Sequence, residues 1–268
     1  KSFIPKALSI IMLATIFSAL LGPNIANFNK DLISGHLFVG SYLSLAVLTL
    51  IPVMFLSFYN PKAESSRIKE YKGRGYFELI SQPRFLQAVT SAAFAYAVMS
   101  FLMTATPINM HVIEQYSLNK TGIVIQLHIV SMFLPSLITG NLLRKFGHSI
   151  IIYAGVTFFI LTILLSFLPS SFFNYLFSLV FLGIGWNFLY LSGTGLLVLS
   201  YREDEKFKAQ GFNDILVFST QALASLSAGY MLSMTSWKTM NLIAIPFLIL
   251  IVFSSIRADL SKDSKLMN

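Results

Sequence analysis

Residues Thr121 to Gly147 read TGIVIQLHIVSMFLPSLITGNLLRKFG. About twenty apolar residues run with one imidazole, His128, before the chain reaches a basic tight turn. At 1.5 Å rise per residue, a helix of about that length crosses the hydrocarbon core of a bilayer. The turn GNLLRKFG sets a helix-ending Gly140 beside Arg144, Lys145 and Gly147. Lys and Arg collect on the cytoplasmic side of membrane proteins, so the turn also orients the span. Membrane span, orientation mark and buried ionisable group sit in one segment.

The rest of the chain has the same character. Of 268 residues, 55% are hydrophobic and 11% charged, against roughly 25% charged in a soluble domain. That is too little polar matter to coat a globule, so the solvent is expected to be largely lipid. The apolar material comes in long blocks rather than the roughly ten-residue alternating segments of a membrane barrel. The 25 Phe residues suit a lipid-facing surface. The formal charge of +8 would suggest nucleic acid as a partner of a soluble protein. Here cytoplasmic loops account for it, and no nucleic-acid partner is expected. The absence of cysteine excludes disulfides and thiolate metal sites. No signal-peptide pattern opens the chain. It starts with Lys and enters a membrane segment almost at once, which leads us to expect that its natural start lies upstream.

Eight spanning segments are predicted, at about Ile4–Phe28, Leu37–Phe58, Phe85–Ile108, Gly122–Leu143, Ser149–Leu168, Phe173–Leu199, Gly211–Met234 and Met240–Ser255. The first is expected to break at Gly22-Pro23. The long hydrophilic stretch Tyr59–Arg84 is predicted to be a linker on the membrane surface that holds a short amphipathic helix. This parse puts 16 of the 19 Lys and Arg residues on one side and leaves Lys30, Lys120 and Lys238 on the other. A wrong helix count would scramble that split, which supports eight spans with both termini in the cytoplasm.

Polar residues inside spans usually face a bundle interior or a wet cavity. His128, Ser131, Pro135 and Thr139 form one stripe. His128 either binds solute or carries a coupling proton, or else it is a neutral imidazole bonded to a neighbouring helix. Gln126 lies nearly opposite on the helical wheel, so the two cannot share one cavity equally. In LGIGWNFLYLSGTG, Asn187, Tyr190 and Thr194 share a face. A planar aromatic solute could stack on Trp186 or Tyr190 and bond Asn187; alternatively Asn187 bonds another helix, and Gly183, Gly185, Gly193 and Gly195 serve close packing. Asp214, Phe218, Gln221 and Ser225 make a further stripe. Asp214 is read either as a charge favoured at a helix N-terminus or as a gate ion pair with the Arg144 turn. Tyr96, Ser100 and Thr104 repeat every four residues and line the same cavity or simply pack. No HExxH, GxSxG, Walker loop or paired carboxylates appear, so an enzyme is not expected.

Six short-looped spans after a basic linker resemble the C-terminal half of a major facilitator superfamily transporter. The turn from Gly140 to Gly147 is similar to the family's loop motif between the eighth and ninth helices, without the acid of fuller versions. LLGPN at Leu20–Asn24, which contains Gly22 and Pro23, resembles its fifth-helix Gly-Pro motif. This register makes the eight spans helices five to twelve. The strings LGPNIANFNKDL, FVGSYLSL, SQPRFLQAV, VMSFLMTATPINM, GWNFLYLSGTGLL and KAQGFNDILVFSTQALASLSAG resemble a bacterial subgroup near riboflavin importers.

The resemblance implies an all-α, polytopic membrane helix bundle of the general-substrate-transporter fold, N-terminally truncated. Residues 1–58 would be the last two helices of the N-terminal half, 59–84 a cytoplasmic linker, 85–256 the six-helix C-terminal half and 257–268 a cytoplasmic tail. It implies a multi-pass transporter of the bacterial inner (plasma) membrane. Such a protein works by alternating access on a small organic solute, with proton coupling and flavin-like import as the expectation. It would be a lipid-embedded monomer at full length and would need no cofactor or metal. The expected solute site joins His128, Asn187, Trp186, Tyr190, Gln221 and Tyr96. The expected gate joins Gly140, Arg144, Lys145, Gly147, Asp214, Gly22 and Pro23. Drug or metabolite efflux and a non-transporting remnant are the alternatives.

Overall fold

The computed structural model describes residues 3–58 and 73–261, with backbone alone for residues 3–13 and 19. Most of the predicted linker and the end of the predicted tail lie outside the described residues. Those described contain helices and no strand. α1 (Phe3–Phe28) and α2 (Val39–Ser57) form a hairpin, followed by the short α3 (Tyr76–Ser81). α4 (Pro83–Pro107) ends in a six-residue π-helical turn, Ile108–Ile113. Then come α5 (Leu118–Phe133), α6 (Ser136–Phe146), α7 (His148–Leu165), α8 (Phe172–Ser200), α9 (Lys206–Met234), α10 (Trp237–Ile243) and α11 (Ile245–Leu260).

Local chemistry explains the boundaries. The side chains of Ser117, Ser171 and Ser236 accept hydrogen bonds from the backbone N–H groups of Lys120, Asn174 and Thr239, which caps α5, α8 and α10. Pro83 opens α4, where a missing N–H costs nothing. The predicted span from Gly122 to Leu143 is one membrane crossing made of two helices: Pro135 cannot donate to the preceding turn, and α5 gives way to α6 there. The last crossing is split likewise at Ala244, just before Pro246.

Two boundaries correct the sequence reading. Gly140 does not end a helix; it sits inside α6, with open space where a Cβ would go. The helix ends at Gly147, whose φ of +82° is open to glycine and costly for other residues. Gly22-Pro23 does not break α1, which is helical through Phe28 with Pro23 inside it.

Seven helical segments among the described residues are long and apolar enough to cross a membrane, from Val39–Ser57 to Trp237–Leu260. α1 adds 26 residues, about 39 Å of helix. The core sits on α4, which packs against α8, α9 and α11. Small residues permit this. A Cβ on Gly193 would lie 2.7 Å from the Ala88 carbonyl oxygen, and one on Gly183 would lie 2.7 Å from that of His128. α8 thus approaches both α4 and α5 backbone to backbone.

Candidate functional site

Tyr96 on α4 and Trp186 and Tyr190 on α8 form one aromatic cluster. Trp186 and Tyr190, one helical turn apart, stack with ring centroids 5.0 Å apart and planes 12° from parallel. Tyr96 meets both edge-on, at 5.1 and 4.9 Å, and Phe133 on α5 closes on Trp186 at 5.9 Å. Edge-to-face and offset stacks are the favoured aromatic geometries, so the rings hold one another in place. Trp186 is buried, while Tyr96 and Tyr190 are half-buried. The Trp186 indole N–H has no hydrogen-bond partner among the described residues. Three of the expected solute residues therefore meet at one point, with polar tips free and ring surface partly open.

His128 and Asn187 do not join them. His128 is fully buried between α5 and α8, with Nδ1 2.7 Å from the Leu179 carbonyl oxygen. Asn187 is also buried. Its amide donates to the Met132 carbonyl and the Ser136 hydroxyl, both at 2.6 Å, and its carbonyl accepts from Thr139 at 2.7 Å. That bonding exhausts what one carboxamide easily offers and ties α8 to both halves of the broken crossing. Both residues thus make inter-helix bonds, and the buried Nε2 of His128 has no partner among the described residues. Gln221 is half-buried on α9, one turn beyond Val217, which packs beside Tyr96 and Tyr190.

The expected gate pair does not form. Asp214 lies two turns inside α9 rather than at its start, because the helix begins at Lys206. Its side chain is exposed and receives one bond, from the Asn213 amide at 3.3 Å. Arg144 donates instead to Asn141, one turn back on its own helix. Arg144 and Lys145 occupy the last turn of α6, where the helix dipole favours cations, and Lys145 lies 5.1 Å from the Phe146 ring centre. Gly22 has open space around it, and Pro23 lines a cleft between α1 and α5.

Two polar clusters had no signal in the sequence. Glu205, fully buried at the start of α9, accepts from Arg74 Nε and Nη2, both at 2.6 Å, from the Arg74 backbone N–H at 3.0 Å and from the Arg202 N–H at 2.9 Å. The carboxylate raises the Arg74 pKa further above its ordinary value, chiefly through these side-chain bonds. Lys208 donates to the Arg74 carbonyl at 2.8 Å. The second cluster joins α4, α7 and α11. Arg84 bonds Gln87, Ser149 and Asp259 within 3.0 Å, and Asp259 also accepts from Ser149 and Tyr153. Partners 131 and 175 residues apart share no local pattern that a single sequence displays.

No protein-family profile matches the chain. It is 33% identical over 249 residues to the riboflavin transporter RfnT of Brucella anthropi, a match that covers 92% of this chain and 62% of that protein. Two uncharacterized MFS-type transporters of Bacillus subtilis, YddS and YdeG, are each 28% identical to it over 88% of the chain. The chain spans about three fifths of the length of these relatives. The chain is thus similar along most of its length to major facilitator transporters, and its all-helical fold with seven membrane-length segments among the described residues is of their kind.

Proposed function

We propose that the chain is the larger part of a secondary transporter that imports a small planar aromatic solute, of which riboflavin is the first candidate. The similarity to a protein named as a riboflavin transporter carries this reading. The cluster of Tyr96, Trp186 and Tyr190 supports it, because partly open rings with free polar tips suit stacking against a flat ring. In this proposal the hairpin α1–α2 belongs to the N-terminal half (residues 1–58), and residues 85–256 form the C-terminal half. Residues 59–84 link them on the cytoplasmic side, and 257–268 are a tail there. The two halves rock about the solute to open one face of the bacterial inner membrane at a time. The 16 Lys and Arg residues on one side support this orientation.

Coupling is proposed to be to protons, with Asp214 as the carboxylate to examine, since it makes no salt bridge among the described residues. The Asp214→Asn variant should keep exchange of solute and lose accumulation driven by a pH gradient.

The decisive experiment is uptake of labelled riboflavin by riboflavin-requiring bacteria. One strain expresses the complete reading frame containing these residues and another the 268-residue chain. Growth rescue and saturable uptake by the complete form are expected. Membrane insertion without uptake by either form would remove riboflavin as the solute.

A further inference from the structure

The cleft between α1 and α5 has about 530 Å³ of space and lies at the end of the bundle away from the Lys- and Arg-rich loops. Its polar lining consists of four carboxamides: Asn24 and Asn27 from α1, Asn119 and Gln126 from α5. Asn27 donates to Asn119 at 3.0 Å across the cleft. Gln126, half-buried two turns down α5, makes no hydrogen bond among the described residues. Among the described residues, no Asp, Glu, Lys, Arg or His lines the cleft. Its apolar wall includes Pro23 and Phe38. Phe38 has a φ of +69°, a left-handed backbone that a bulky residue rarely adopts, and its N–H bonds the Lys30 carbonyl at 2.8 Å.

Each carboxamide offers a donor pair and an acceptor side by side, so it pairs with a group that offers the converse on one edge. Without a charged side chain, the cleft has nothing to repay the desolvation of an ionic solute. Its volume falls in the range of small-molecule sites. We propose that this cleft is an entry site that recognises an uncharged planar solute through an imide-like edge, with Gln126 as the principal contact. The proposal rests on the transport reading for its choice of solute: the pyrimidine edge of a flavin ring carries an N–H between two carbonyls. It also resolves the opposition between Gln126 and His128 on their helix, for His128 faces α8 while Gln126 faces the cleft.

The chain has no cysteine, so single thiols report cleanly. Gly122→Cys, Ile123→Cys and Lys238→Cys variants of the 268-residue chain, which leave the four carboxamides in place, would be treated in whole cells with a membrane-impermeant maleimide. Riboflavin or lumichrome, the alloxazine that lacks the sugar chain and keeps the imide edge, would be present or absent. At about ten times the half-protecting concentration, labelling at 122 and 123 should slow about tenfold, and Gln126→Leu beside either thiol should abolish the slowing. Labelling at 238, exposed at the start of α10 and away from the cleft lining, should not change. The two cleft variants serve as controls for each other's folding. Labelling of both at unchanged rates with either compound overturns the proposal. Failure of both to react also overturns it, because the cleft would not open to the medium. Protection without riboflavin uptake by the complete form keeps the site and removes the transport reading; uptake by the complete form without protection removes the site alone.

Discussion

α2 and α4 are both apolar helices of membrane-crossing length, yet they live in opposite surroundings. In the most apolar window of α4, 78% of residues are buried, against 6% in α2. The difference is one of side-chain size and polar partners rather than hydropathy. α4 presents Ala88, Ala92, Ala93, Ala95 and Ala97, all buried, together with Ser91, which bonds the Leu189 carbonyl at 2.8 Å. α2 presents Leu45, Val47, Leu50, Phe55 and other large exposed side chains, and its hydroxyls bond within the hairpin. In lipid, apolar bulk gives no reason for helices to associate; small residues and hydrogen bonds do. The α4 bundle is therefore packed through its small positions, whereas the large side chains of α2 stay uncovered within this chain.

Substitutions can break or sharpen that contrast, each read as thermal unfolding in detergent. Arg74→Ala would leave the Glu205 carboxylate buried and without its guanidinium, a loss of about 4 kcal/mol on the scale of broken buried pairs. Gly183→Ala would push a methyl group against Ser131 and the His128 carbonyl, forcing α5 from α8 at a cost of about 3 kcal/mol. Asn187→Leu should cost about 1 kcal/mol, as membrane hydrogen bonds do, and leave the KM for solute unchanged because the residue holds helices together. Gly22→Ala on α1, with open space around it, should change stability by less than about 0.5 kcal/mol. If Gly22→Ala proved as costly as Gly183→Ala, the hairpin would be as tightly packed as the bundle and the contrast would fall.

The sequence displayed the crossings plainly, since apolar length and charge sidedness are local properties. It displayed the face of each polar residue but not the neighbour across from it. A helical wheel sets His128 opposite Gln126; only the position of α8 decides which of the two is locked in packing. Tyr96, Trp186 and Tyr190 could be named as candidates, yet their meeting depends on how α4 crosses α8. Gly140 and Gly147 look alike in the string GNLLRKFG, and only the backbone shows which one turns. Arg74 and Glu205 were invisible as a pair because nothing near either one anticipates the other.

The Arg74–Glu205 bond also sets a length. With Arg74 fixed to the start of α9, the chain between Phe58 and Gly73 is the whole leash between hairpin and bundle, at most about 50 Å when drawn taut. That covalent limit keeps the two ends within reach of each other whatever the seam between them does. The seam between α1 and α5, with its Asn27–Asn119 bond, can then be weak and still be mostly closed. A seam that is weak but tethered can open and reclose many times without its two sides ever parting company.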